Sequence, residues 1–221
     1  MFVQVTLNLL YGFWENVFLF CVTLTLALPL GLVVTWGSMS KFYIISPEFR
    51  PIALITKVFI WLIRGTPLML QLFIVCYVPG LVFDISMRNR MLAAAIAFVI
   101  NYAAYFAEIY RGALENIPKG QWEAGKVLGL TKRQVFFHII LFQVFKRSTA
   151  PLGNETITLV KDTAIARVIA VSEVLMNAQR YAINGGLIWP LFYSALFFLA
   201  ATAFITWIFD VIERKMAYAN G

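Results

Sequence analysis

The sequence predicts an all-α integral membrane protein of about five transmembrane helices, with an interrupted fourth span and a long helical loop on the cytoplasmic side. Three observations lead there. The 221 residues are 61% hydrophobic and only 13% charged, with a mean hydropathy of +0.80. Four long stretches carry no charge at all. The basic residues fall mainly on one side of the resulting spans, 13 against 5. Soluble domains run near 45–50% apolar and about 25% charged, so a water-soluble globule of this length could not hide so much apolar surface. Disorder is excluded as well, because its polar, highly charged composition is missing.

The uncharged stretches are Asn16 to Ser40, Gly65 to Phe83, Met91 to Ala107 and Tyr181 to Phe209, with 25, 19, 17 and 29 residues. Each approaches the ~20 residues that cross a bilayer as a helix. The first fifteen residues carry no Lys or Arg and no signal-peptidase pattern, so the first run is expected to remain as a span. Between Ser148 and Ala178 lie two shorter apolar pieces, joined by Lys161-Asp162-Thr163. Pieces of that length read as re-entrant or broken helices. The expected organisation is a single domain, 1–221, with spans at roughly 16–40, 60–83, 91–110, 148–178 (interrupted) and 187–209, and a loop at 111–147.

Orientation follows from counting. With five crossings and the N-terminus outside, the segments 41–64, 111–147 and 210–221 face the cytoplasm and hold 4, 7 and 2 Lys/Arg. The outer segments hold five, namely Arg88, Arg90, Lys161, Arg167 and Arg180. The positive-inside rule favours this arrangement, and the net charge of +7 therefore faces lipid head groups or a partner rather than nucleic acid. In the third span Ala93, Ala97, Ala104 and Ala107 share a stripe with Ile100. Bundle packing is preferred for it over a subunit interface.

The segment 116–146 reads as two helices with a tight turn. Pro118 suits a first helical turn, Gly129 a left-handed helix end, and Thr131 with Gln134 a capping box. Two decoys lie here. Gly120 to Val127 matches a phosphate loop except at Val127, which has no hydroxyl for a metal, and no strand precedes it. A DNA-reading helix-turn-helix fails because its second helix continues as Val135-Phe136-Phe137-His138-Ile139-Ile140-Leu141-Phe142, an apolar run. Cys21, Cys76 and the lone His138 read as packing or interfacial residues, and Asn154-Glu155-Thr156 as an accidental glycosylation match. No Ser/Lys, Asp/Asp or His-centred constellation supports an intramembrane enzyme.

Glu123-Ala124-Gly125 followed by Gly129, Ile139 and Leu141 resembles the EAA loop of ABC-importer permeases. Three further blocks resemble the polar amino acid branch of that family. They are Arg64 to Phe73, then Ala107 to Gly112 with Gly120-Gln121, and Val160 to Thr163. The resemblance spans roughly residues 12–215. Two positions depart from it: Gly125 stands where Ala is usual, and Phe142 where Pro usually follows. The glycine costs about 0.5–1 kcal/mol of helix propensity.

The resemblance implies a non-catalytic permease subunit of an ATP-driven importer of polar amino acids in a bacterial inner membrane. It implies a second permease chain, identical or homologous, two cytoplasmic ATPases carrying the ATP and Mg, and an extracytoplasmic amino acid-binding protein. No cofactor or metal is expected in this chain. The 111–147 segment becomes the coupling loop, with Glu123, Ala124, Gly125 and Gly129 as its ATPase-coupling residues. Lys161, Asp162, Thr163, Glu108 and Arg64 are candidates for the substrate pathway, because charge at membrane depth marks a pathway or an internal pair. For Arg64 and Glu108 a structural ion pair is an equal reading, and for Asp162 a pair with Lys161 or Arg167 competes. An ion-gradient-driven transporter or channel is the alternative function.

Overall fold

The computed structural model describes residues 1–40, 50–85 and 87–218, so part of the expected cytoplasmic segment 41–64 lies outside the described residues. All regular elements among them are helical: α1 (Phe2–Ser38), α2 (Pro51–Gly65), α3 (Leu68–Phe83), α4 (Arg90–Glu115), α5 (Lys119–Val127), α6 (Lys132–Val135), a π-helical turn (Phe136–Ile140), α7 (Leu141–Asp162), a 3-10 turn (Thr163–Ile169), α8 (Val174–Gly185) and α9 (Trp189–Tyr218). Three of them, α1, α4 and α9, are long and apolar enough to cross a membrane, and the bent pair α2–α3 qualifies as one broken unit. Large apolar side chains of α9 such as Phe192, Leu199 and Trp207 are exposed, a surface suited to hydrocarbon rather than water.

α4 is the centre of the bundle. Its Ala93, Ala97, Ala104 and Ala107 are all buried, and Phe98, Tyr102 and Phe106 fill the space between α1, α3 and α7. The alanine stripe thus packs the chain's own bundle. Thr35 on α1 donates to the Ala107 carbonyl at 3.0 Å, which the small α4 side chains permit. The other end of α1 meets α8 and the start of α9, where Phe2 stacks on Trp189 with ring centroids 5.3 Å apart. The N-terminus and the 111–147 loop therefore occupy opposite ends of the molecule.

The expected continuous second span, 60–83, is corrected. It is broken at Thr66-Pro67, where α2 and α3 meet at 105°. Thr66 precedes a proline and is driven into the extended region (φ −116°, ψ 144°), and Pro67 offers no N–H to continue the helix. The carbonyls freed by the break need donors in a non-aqueous setting. Gln71 supplies them, donating through Nε2 to the Ile63 and Thr66 carbonyls at 2.8 and 3.2 Å. Its Oε1 accepts from Asn101 Nδ2 at 3.0 Å, fixing the bend to α4. With 16 residues, α3 is about 24 Å long, short of the ~30 Å hydrocarbon core.

The interruption expected around Lys161-Asp162-Thr163 is present but begins later. The helix runs through Lys161 and Asp162, tightens to a 3-10 turn at Thr163, and ends at Ala170 in the left-handed region (φ 63°). After Val171 and Ser172, Glu173 in extended conformation caps α8, accepting from the Leu175 and Met176 amides at 2.8 and 2.6 Å. The Gly120–Lys126 stretch lies in α5, so it forms no phosphate loop.

Candidate functional site

The loop between α4 and α7 is a rigid hairpin. Pro118 precedes α5, and Gly129 closes it with φ +73°. The Leu130 amide donates to the Gly125 carbonyl (3.0 Å) and the Gly129 amide to that of Lys126 (3.1 Å), the paired bonds of a Schellman end. Thr131 and Gln134 then form a reciprocal capping box that starts α6. The Gly129 helix end and the Thr131–Gln134 box are realised as read, while Pro118 sits at the N-cap of α5, one residue before the first turn expected for it. Beneath the hairpin Ala113, Ile117, Val135, Ile140 and Val144 make a buried cluster, and Arg147 donates to the Asn116 carbonyl at 2.7 Å.

Glu123 and Ala124 are exposed on the outer face of α5, whereas Gly125 is buried against α6. Glu123 borders a groove of about 620 Å³ with Lys119, Trp122, Lys132, Arg133, Phe136 and Phe137. At the hairpin tip Val127 and Leu128 are 87% and 73% exposed. An apolar tip beside a groove edged with charge suits contact with another protein. The unusual Gly125 has a steric reason, since a Cβ there would overlap Val135 Cγ2 and stand 3.2 Å from Cγ1.

The pathway candidates divide into two places. Asp162 is partly buried, and its Oδ2 accepts from the Tyr102 hydroxyl at 2.8 Å. Neither Lys161 nor Arg167 forms an ion pair with it among the described residues. Lys161 is exposed. Thr163 is buried, donates to the Val160 carbonyl at 2.7 Å and accepts from Asn16 Nδ2 at 3.0 Å, so it holds the turn, and with Asn16 and Val160 it borders an apolar cavity of about 340 Å³ against α1 and α9. Glu155, two helical turns before Asp162, is only partly buried on the same face of α7.

Arg64 and Glu108 meet elsewhere, at 3.8 Å, in the open crevice where α2 crosses α4. The Arg64 guanidinium lies 5.1 Å from the centre of the Tyr105 ring. Glu108 also binds Arg111, which reaches on to Glu115. Ser38, Lys57 and Trp61 complete this crevice of about 550 Å³. The structural-pair reading of Arg64 and Glu108 is thus present in the geometry.

Sequence reasoning missed Asn16 and Glu173. Asn16 accepts from the Val174 amide at 3.0 Å and donates to Glu173 Oε2 at 3.3 Å and to Thr163. This buried knot ties α1 to both sides of the interruption. A lone Asn at the head of an apolar run, and a Glu inside another, were the available signals. Gln71 and Tyr102 were missed too, since neither amide nor phenol disturbs a hydropathy pattern.

A helical bundle with long apolar spans, one span broken at Thr66-Pro67, a part-buried acid on one face and a capped hairpin at one end has the make-up of a transport permease. The chain belongs to the family of binding-protein-dependent transport system inner membrane components, whose model matches residues 5–218. It is 35% identical to the L-cystine transport system permease protein TcyB of Bacillus subtilis (strain 168), over 93% of this chain and 85% of that protein. It is 36% identical to the glutamine transport system permease protein GlnP of Escherichia coli (strain K12), over 73% and 74% of the two chains. The crystal structure of an amino acid ABC transporter with histidines superposes with a TM-score of 0.86 at 27% identity, covering 97% of this chain and 96% of that one.

Proposed function

We propose that this chain is the membrane-spanning permease subunit of an ATP-driven importer for polar amino acids, and that it works with a second permease chain, identical or homologous. Two cytoplasmic ATPases dock on the 111–147 hairpin, and an extracytoplasmic binding protein delivers the amino acid at the other end. The observation that carries this reading is the capped, rigid hairpin with exposed Glu123, Val127 and Leu128, joined to the helix that bears Asp162. A channel or ion-gradient transporter has no use for such a lever. The amino acid relatives point to the substrate class. ATP and Mg belong to the ATPase, and the permease contributes motion rather than chemistry.

In this reading the hairpin end is cytoplasmic and the N-terminus outside, in a bacterial inner membrane. Asp162 lines the path near its outer end, with Tyr102 orienting the carboxylate, and Lys161 stands at its rim. The carboxylate is suited to pair with a substrate amino group, since a part-buried acid held by one neutral donor keeps acceptor capacity free. Arg64 and Glu108 form a charged pair toward the cytoplasmic side of the same path.

Copurification tests the assignment. A tagged version of this chain, extracted in mild detergent from cells that express it natively, is expected to bring down an ATPase whose retention is lost with Glu123→Arg. An ATPase retained equally by the variant contradicts the role of Glu123, and absence of any ATPase contradicts the importer.

A further inference from the structure

Gly125 and Val135 sit where three elements meet. Gly125 is the one buried residue of α5, and Val135, 2% exposed, is the last residue of α6. Val135 also belongs to the buried cluster with Ala113 near the end of α4, Ile117 just past it, Ile140 in the π turn and Val144 at the start of α7. A Cβ at position 125 would overlap Val135 Cγ2, so α5 lies against α6 at a distance that only glycine allows. The turn between them is fixed twice over, by the Schellman bonds at Gly129 and by the Thr131–Gln134 box. The turn is thereby held in one geometry, and this contact is where α5 bears on α6.

Beyond Val135 the helix does not stop. The π-helical turn, closed by the Leu141 amide on the Phe136 carbonyl, carries it into α7 and on to Asp162. The 31 residues from Lys132 to Asp162 are continuously helical, with the π turn and Pro151 within them, over a contour of about 45 Å. A π turn is a local irregularity of the kind found at functional bends.

We infer that the Gly125–Val135 contact is the joint that sets the hairpin angle and passes its movement into α7, with Val135 as a positioning residue for coupled transport. This rests on the importer reading. Gly125 then serves the interior of the lever, while Glu123 and Ala124 face the ATPase. Filling the joint tilts α5 away from α6, and emptying the partner makes room again.

The test uses the complex with its copurified ATPase in proteoliposomes, measuring radiolabelled glutamine, cystine or arginine taken up per ATP hydrolysed. Gly125→Ala is expected to lower that ratio by about threefold or more, with the ATPase still bound. The double variant Gly125→Ala with Val135→Ala is expected to recover most of it. A wild-type ratio in Gly125→Ala overturns the inference, as does a loss that persists in an intact double variant. If Gly125→Ala does not assemble, the double variant decides: assembly with a near-normal ratio supports the joint, and failure to assemble rejects it. Absence of ATP-driven uptake by the wild-type complex contradicts the importer reading itself, whereas wild-type uptake with an unresponsive joint contradicts only this inference.

Discussion

At the scale of single residues, charge at membrane depth carries different meanings at neighbouring positions. Asp162 has a phenol for a partner rather than a cation, which leaves its negative charge available to a ligand. Asp162→Asn keeps the shape and removes the charge. It is expected to weaken substrate affinity or slow transport in a complex that assembles normally, as read by uptake kinetics and size-exclusion chromatography. Normal uptake combined with poor assembly would instead make Asp162 a structural group. Asn16 is the contrasting case, because its side chain satisfies Thr163, Glu173 and the Val174 amide together. Asn16→Ala takes the named partner from the buried Val174 amide, at about 1–3 kcal/mol, and one bond each from Thr163 and Glu173, so a lower thermal unfolding temperature of the purified protein is expected. An unchanged temperature would show that water fills the gap.

At the scale of elements, the hairpin was the most legible part of the sequence, because each of its signals is local. Pro118, Gly129 and the Thr131–Gln134 pair act within one turn of their own backbone, and spacing alone specified them. Gly129 sits at a φ of +73° that costs an L-residue roughly 1–2 kcal/mol. Gly129→Ala is therefore expected to lower ATPase retention or thermal stability, and retention equal to wild type with an unchanged melting temperature would contradict that. The second span was misread because Thr66 and Pro67 are uncharged, so they left hydropathy intact while changing the backbone. Gln71, which makes the bend tolerable, reads as one polar residue in an apolar run. The fourth span was legible as an interruption, though its placement was early by a few residues. A helix tolerates Lys161 and Asp162 at its end, and the break waits for the inward turn of Thr163.

At the scale of the whole molecule, composition and the 13-to-5 distribution of basic residues set the class and the proposed orientation, while the internal order of packing lay beyond them. No pattern in the sequence announced that α1 and α8 would be knotted at Asn16, since that contact joins positions more than 150 residues apart. The arrangement places the hairpin and the N-terminus at opposite ends, which makes sidedness directly measurable. Lys119→Cys, in a background lacking Cys21 and Cys76, is expected to resist impermeant maleimide in intact cells and to react once the membrane is opened. Labelling from outside intact cells would invert the topology.

The central claim is that ATP hydrolysis on one side of the membrane drives amino acid movement through this chain, by way of the 111–147 hairpin. Its most direct measurement is uptake of radiolabelled amino acid into proteoliposomes holding the wild-type complex or the Glu123→Arg variant, with the binding protein outside and ATP enclosed. The account predicts uptake that requires ATP and persists when ion gradients are collapsed, and little or no uptake with Glu123→Arg. Uptake that proceeds without ATP and vanishes with the ion gradient would contradict it.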